Sequence, residues 1–288
     1  MFKSLLVSAT GNDTDAVAYA TAHAVARGFG AHIDALHVRL DPAGIATTMS
    51  TEGAGGTLLQ GTVDSLEKDA DEGEAKARSI FTAFCAREKV ARASAAGNST
   101  TTTTAGFHVE IGEEPRWTAA YALTCDLAVA TRGTPGDNAA ARSTLEALLF
   151  ETGRPLLIPG PSAPAPDFAD RIAIAWKPGP QAARAVAAAM PLLARAKEIT
   201  VLTIAEDESA RDETARLIDY LGWHGLRVVA ERIDPGADGP AALLTAASAK
   251  SGLLVMGGYS HTRVREWVFG GFTQSVLDHA ELPVLMAH

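Results

Sequence analysis

A chain of 288 residues is long for one small domain and suits two of about 140 each. Its 47% hydrophobic content supplies ordinary globular cores, and no window approaches the roughly 18 consecutive apolar residues of a membrane span. A net charge of −9 argues against nucleic acid as the main partner, because duplex binding rests on basic patches.

Taken in order, Phe2–Ala9 reads as a strand, Ala16–Ala26 as a helix and the alternating run Ala31–Val38 as a second strand. This β-α-β opening fits a right-handed parallel crossover. Residues 41–62 are rich in Gly, Thr and Ala with no apolar stripe, so they are expected to form a long mobile loop. Asp64–Glu88 follows as a charged amphipathic helix with Leu66, Ala70, Ala77, Ile80, Phe81 and Phe84 toward its apolar side. The threonine run near 99–104 reads as a second flexible loop before a strand at Phe107–Ile111. A short helix at Glu113–Leu123 carries Pro115 in its first turn, where its missing N–H costs nothing. Asp126–Ala130, Arg142–Phe150 and Pro155–Ile158 complete a strand, a helix and a strand.

The proline-rich stretch Pro159–Phe168 reads as a linker, after which the order repeats. Strands are expected at Arg171–Trp176, Glu198–Ile204, Leu226–Ile233, Leu253–Met256 and Val284–Ala287. Helices fall between them at Pro180–Ala194, Arg211–Gly222, Pro240–Lys250 and around Phe272–Ala280. The run Arg154–Pro159 also matches Leu282–Ala287, so the chain reads as two copies of one unit. The fold class is α/β: two tandem flavodoxin-like (Rossmann-like) domains, 1–160 and 168–288, each a five-stranded parallel sheet with helices on both faces.

The stretch after Leu253–Met256 carries most of the functional signal. Gly257 and Gly258 stop the strand, a polar segment follows, and Gly270 and Gly271 precede a helix with Thr273 in its first turn. Glycines at a helix start let a ligand approach unpaired backbone N–H groups that attract anions. This segment resembles the C-terminal signature of the universal stress protein family, in which Gly, Gly, Gly and Ser/Thr wrap the phosphates and ribose of ATP. Gly257 and Gly270 stand in place, while Ser260 replaces the second Gly and Gly271 replaces the Ser/Thr. The resemblance extends over nearly the whole chain, as a tandem member.

By that resemblance, ATP or AMP is expected only in the C-terminal half. Gly257, Ser260, Gly270, Gly271 and Thr273 would meet phosphate and ribose, and Ala175, Thr203 and Ile204 would flank the base. Members that bind ATP end their first strand in an Asp that accepts hydrogen bonds from adenosine; here Thr10 and Lys177 stand there. A lysine donates and cannot accept. Lys177 has two readings, a phosphate contact or a solvated loop lysine, and so do Arg263 and Arg265, an anion clamp or a solvent-facing pair. The first half has no second glycine pair in its phosphate loop, and Asp137 would repel a phosphate there despite Arg132 and Arg142.

Catalytic signals are missing. No phosphate loop of the GxxxxGK[ST] type and no GxSxG elbow occurs. Cys85 and Cys125 match no metal or redox spacing, and His23, His32 and His37 converge by no ligand spacing. The expectation is a non-catalytic, cytoplasmic stress-response protein without membrane span or nucleic acid. Its two halves would form an intrachain pseudo-dimer, with a homodimer as a further step. The alternative is a scaffold of the same fold that binds no nucleotide, or another small molecule or lipid; a nucleotide hydrolase ranks third.

Overall fold

The structure, a computed structural model, describes residues 1–51, 56–94, 101–133, 138–204, 209–234, 239–258 and 271–288. Its first half runs β1 (Ser4–Ser8), α1 (Asp15–Phe29), β2 (His32–Arg39), α2 (Pro42–Thr51), α3 (Gly56–Glu88), β3 (Ala91–Arg92), β4 (Thr104–Ile111), α4 (Glu114–Ala122), β5 (Leu127–Val129), α5 (Asn138–Glu151) and β6 (Leu156–Ile158). A 3-10 turn at Phe168–Asp170 leads into the second half. There the order is β7 (Arg171–Ala175), α6 (Pro180–Leu193), β8 (Glu198–Thr203), α7 (Ser209–Trp223), β9 (Val228–Arg232), α8 (Gly239–Lys250), β10 (Leu253–Gly257), α9 (Gly271–His279) and β11 (Val284–Ala287).

Among the described residues, eleven strands join one sheet in the order β3-β4-β2-β1-β5-β6-β11-β10-β7-β8-β9. Among these strands every pairing is parallel except β6 with β11, where Leu157 lies opposite Leu285 and Ile158 opposite Val284. The final strands of the two halves therefore pair with one another. This pairing covers two edges that would otherwise offer unpaired backbone groups.

The strands are apolar on both faces because both are covered. On one face, α1 and α3 with α6 and α7 pack over Leu5, Val7, Ile33, Ile172, Val201 and Val255. On the other, α4 and α5 with α8 and α9 pack over Leu6, Leu156, Ala173, Leu254 and Met286. Each half is thus doubly wound, and its C-terminal strand ends form the edge where open parallel sheets take ligands.

Three expectations need correction. Residues 42–51 and 56–62 are helical, not loop: α2 packs against α3, and this mutual contact supplies what the weak apolar patterning lacks. Residues 52–55 of the expected loop, and 95–100 of the threonine-rich stretch, lie outside the described residues. The first half also has a sixth strand, the two-residue β3, which pairs with β4 through Ala91 and Arg92. β4 itself begins at Thr104, within the threonine run, because that residue pairs with His32 on β2.

Candidate functional site

In the second half Ala175, Thr203 and Gly257 lie at the C-terminal ends of neighbouring strands. Ala175 ends β7, paired with Met256 of β10 and Leu202 of β8. Thr203 is buried at the end of β8, and Ile204 beyond it is half-buried. Strand order reverses between β7 and β10, so the edge at Ala175 and Gly257 is the topological switch point. Lys177 is exposed on the loop leading to α6. Gly271 and Thr273 lie in the first turn of α9, Gly271 exposed and Thr273 buried. Ser260, Arg263, Gly270 and Arg265 lie outside the described residues.

Gly257 and Gly258 each have a packing reason for their missing side chain. A Cβ on Gly257 would sit 2.5 Å from the backbone nitrogen of Ala182, so its missing side chain admits the start of α6. One on Gly258 would sit 2.9 Å from Cδ2 of Leu149 and 3.2 Å from Cε of Met286, so this glycine fits the seam between the halves. Gly271 instead faces open space, with nothing within 4 Å of the added atom.

The equivalent edge of the first half is closed by the chain itself. The buried Asp15 carboxylate accepts from Thr10 N at 3.1 Å, Thr10 Oγ1 at 2.9 Å and Gly11 N at 2.8 Å. Burial raises its pKa above the usual carboxylate value, against the lowering effect of these hydrogen bonds. The Thr14 and Thr131 hydroxyls meet at 3.4 Å across the ends of β1 and β5. Above them lies α3: a Cβ on Gly11 would come within 2.8 Å of the Gly73 carbonyl oxygen. Gly11 is suited to this contact by its left-handed φ of 82°.

Arg132 is not aimed at a phosphate. Its Nη1 donates to the Ala280 carbonyl at 2.9 Å and its Nη2 to the Pro159 carbonyl at 3.3 Å, clasping the C-terminal end of α9 from the other half. A cation there complements the helix dipole. Arg142 pairs with Glu146 at 3.3 Å on its own helix. Across the opposite face of the sheet, the Arg195 guanidinium lies 5.1 Å from the Phe29 ring centroid, and Arg27 donates to the Pro166 carbonyl.

Sequence spacing missed one polar cluster. His32 and His108 each donate Nε2–H to Asp34 Oδ1, at 3.1 and 2.9 Å, and His32 Nδ1 lies 2.7 Å from the Thr104 hydroxyl. The signal lay in the alternation of β2 and β4, which puts His32, Asp34 and His108 on one face, but only the register joins them. His23 instead pairs with Glu88 at 3.5 Å, and His37 Nδ1 bonds the Ala9 carbonyl at 2.7 Å. Among the described residues, no group of three His, Cys, Asp or Glu side chains is arranged to hold a metal. Both cysteines are free and buried; burial pushes the Cys125 thiol up to about 11, far from thiolate chemistry. Trp176 is half-buried, Trp223 is 90% exposed, and Trp267 lies outside the described residues. Among the described residues, no helix is long and apolar enough to cross a membrane.

No protein-family model matches the sequence, and no curated protein does. Solved structures do match. A universal stress protein from Archaeoglobus fulgidus superimposes with a TM-score of 0.68 at 14% identity, over 99% of this chain and 95% of that one. A functionally unknown protein from Pseudomonas aeruginosa gives a TM-score of 0.54 at 15% identity, over 99% of this chain and 92% of that one. Both matches cover 99% of this chain and so take in both halves. The chain therefore has the universal stress protein fold, with its doubly wound strand order present twice in one continuous sheet.

Proposed function

We propose that the chain is two units of the universal stress type, residues 1–160 and 168–288, acting as a non-catalytic, ligand-responsive regulatory protein of the cytoplasm. The second unit takes a small ligand at its C-terminal strand edge, with ATP or AMP the first chemistry to test. The supporting observation is the asymmetry of the two edges. Asp15 holds the Thr10 and Gly11 amides of the first, and α3 lies over Gly11. At the second edge the loop carries an exposed Lys177 and no such carboxylate, with Ala182 at the helix start. An adenine nucleotide would lie against Ala175, Thr203 and Ile204, with its phosphates toward Gly271 and Thr273 and the segment carrying Ser260, Arg263 and Gly270. A homodimer built from two such chains belongs to the same reading.

The second reading is a scaffold that takes no nucleotide. It is favoured by Gly257, whose missing side chain serves the packing of α6, and by Lys177, which cannot accept a ribose hydroxyl. Mass spectrometry of molecules released from the native, purified full-length protein separates the two. Adenine nucleotide in the released fraction supports the first reading. A lipid, or no small molecule, supports the second.

A further inference from the structure

Strand β9 closes one end of the sheet: β8 pairs it on one side, and no described strand lies on the other. The Ile233 N–H donates to the Thr203 carbonyl of β8 at 2.8 Å. Peptide groups alternate in direction along a strand, so Val229 and Glu231 also turn theirs toward β8. Val228 and Ala230 turn theirs outward, where they meet no partner among the described residues. The opposite end of the sheet is blunted, because β3 is only two residues long. By contrast β9 has five residues and offers Val229, 61% exposed, beside the outward amides. On its other face a groove lined by Ile218, Trp223, Leu226 and Val228 follows the same edge. An open strand edge flanked by apolar groups on both faces is a template for a further strand.

The sequence of β9 is complementary to itself. Arg227, Val229 and Glu231 share the face of Ile233, because side chains alternate along the strand. Consider a second β9 laid antiparallel, with the two-fold at Val229. Val229 then lies opposite its own copy, and Arg227 lies opposite Glu231 of the second copy, twice by symmetry. These are non-hydrogen-bonded positions, where facing side chains come closest. Between them, Val228 and Ala230 exchange their outward N–H and C=O groups with Ala230 and Val228 of the second copy. Moving the two-fold by one residue sets Val229 against Glu231 or against Arg227, and the matched charges are lost. Lys250 donates to Glu231 at 2.6 Å and holds its carboxylate on this face.

We propose that β9 is the homodimer interface of this protein, pairing antiparallel with β9 of a second copy about Val229. The proposal rests on that part of the proposed function in which two chains associate, and it needs no nucleotide. Both copies use the same patch, so the contact closes as a dimer and does not propagate. The sheet becomes continuous through both chains, as it already is between the two halves of one chain.

The test is analytical ultracentrifugation of the full-length protein up to about 100 μM, with circular dichroism to show that each variant is folded. The wild type is expected to be a dimer. Ala230→Pro removes an outward N–H and leaves the bonds to β8 in place, while Val229→Lys sets like charges face to face; both are expected to be monomers. Arg227→Glu is expected to weaken the dimer about tenfold, and adding Glu231→Arg to recover most of that loss. A wild type that stays monomeric removes the homodimer from the proposed function and this interface with it. A dimer unmoved by Ala230→Pro and Val229→Lys keeps the homodimer and overturns only the β9 interface. A double variant no tighter than Arg227→Glu alone overturns the pairing about Val229.

Discussion

Asp15 and Ala182 occupy the same position in the two halves of the sheet. Matching backbone hydrogen bonds establish the correspondence: Asp126 N to Ser4 O repeats as Gly252 N to Arg171 O. Ala9 N to Leu36 O likewise repeats as Trp176 N to Leu202 O. The shift that carries Ser4 onto Arg171 carries Thr10 onto Lys177, Gly11 onto Pro178 and Asp15 onto Ala182. In the first half the Gly11 N–H needs an acceptor and Asp15 supplies it. In the second half Pro178 has no N–H, and the acceptor is gone as well. The Gly11 donor and its acceptor disappear together while the Lys177 N–H remains in the place of Thr10, so the electrostatics of the two loops differ.

Asp15→Ala should therefore destabilise the protein by about 1–3 kcal/mol at neutral pH, because buried donors at Thr10 and Gly11 lose their acceptor. Ala182→Asp in the other half should bring a smaller gain, since Pro178 offers no donor and only the Lys177 N–H remains in the loop to meet it. Urea denaturation of both variants checks this. A silent Asp15→Ala would mean that water satisfies the loop amides.

The fold was legible because the strands are continuous apolar runs separated by glycine and proline, and because the runs ending at Pro159 and Ala287 are near copies. The α2 helix was not legible. Residues 42–51 have weak apolar periodicity, and their helix depends on packing against α3. The glycine pattern was legible as a motif but not as a role. Whether Gly257 admits a phosphate or a helix backbone depends on where Ala182 lies, which only the tertiary structure gives. The clasp by Arg132 was hidden for a similar reason, since its acceptors at Pro159 and Ala280 are remote in sequence.

Gly257 and Gly271 give a paired test of those roles. Gly257→Ala forces a methyl against the α6 backbone and should cost about 2 kcal/mol, the scale of core overpacking. Gly271→Ala points into open space and should leave stability within about 0.5 kcal/mol. Thermal and chemical denaturation of the two variants measure the contrast. Equal effects would show that the close contact at Gly257 relaxes without cost.

The Asp34 cluster predicts a pH dependence. Burial pushes this carboxyl up, but hydrogen bonds and charge from His32 and His108 outweigh it and leave the pKa below the ordinary 3.8. A folded-state pKa below the unfolded one means the unfolded chain binds the proton first as pH falls. The Asp34 contribution is thus complete above that unfolded value and is lost as pH falls through the lower folded one. The stability difference between wild type and Asp34→Asn should be largest near neutrality and shrink below about pH 4. A difference that is constant from pH 6 to pH 3 would remove the carboxylate from the account.

The most direct functional prediction concerns Lys177, which stands where the resemblance to ATP-binding universal stress proteins implies an aspartate. A carboxylate at the end of β7 can accept from ribose hydroxyls; an ammonium group cannot. If adenosine is seated against Ala175, Lys177→Asp restores an acceptor worth about 1 kcal/mol or more, and Kd for ATP should fall about fivefold. Lys177→Ala separates the two effects, because it removes the cation without adding the acceptor. Should the lysine serve a phosphate instead, Lys177→Ala and Lys177→Asp would both weaken ATP, and adenosine would be insensitive to either change. Calorimetric titration of ATP and adenosine into the three full-length proteins distinguishes these outcomes. Equal ATP affinity in all three would place the nucleotide away from the β7 edge and count against the second-half site.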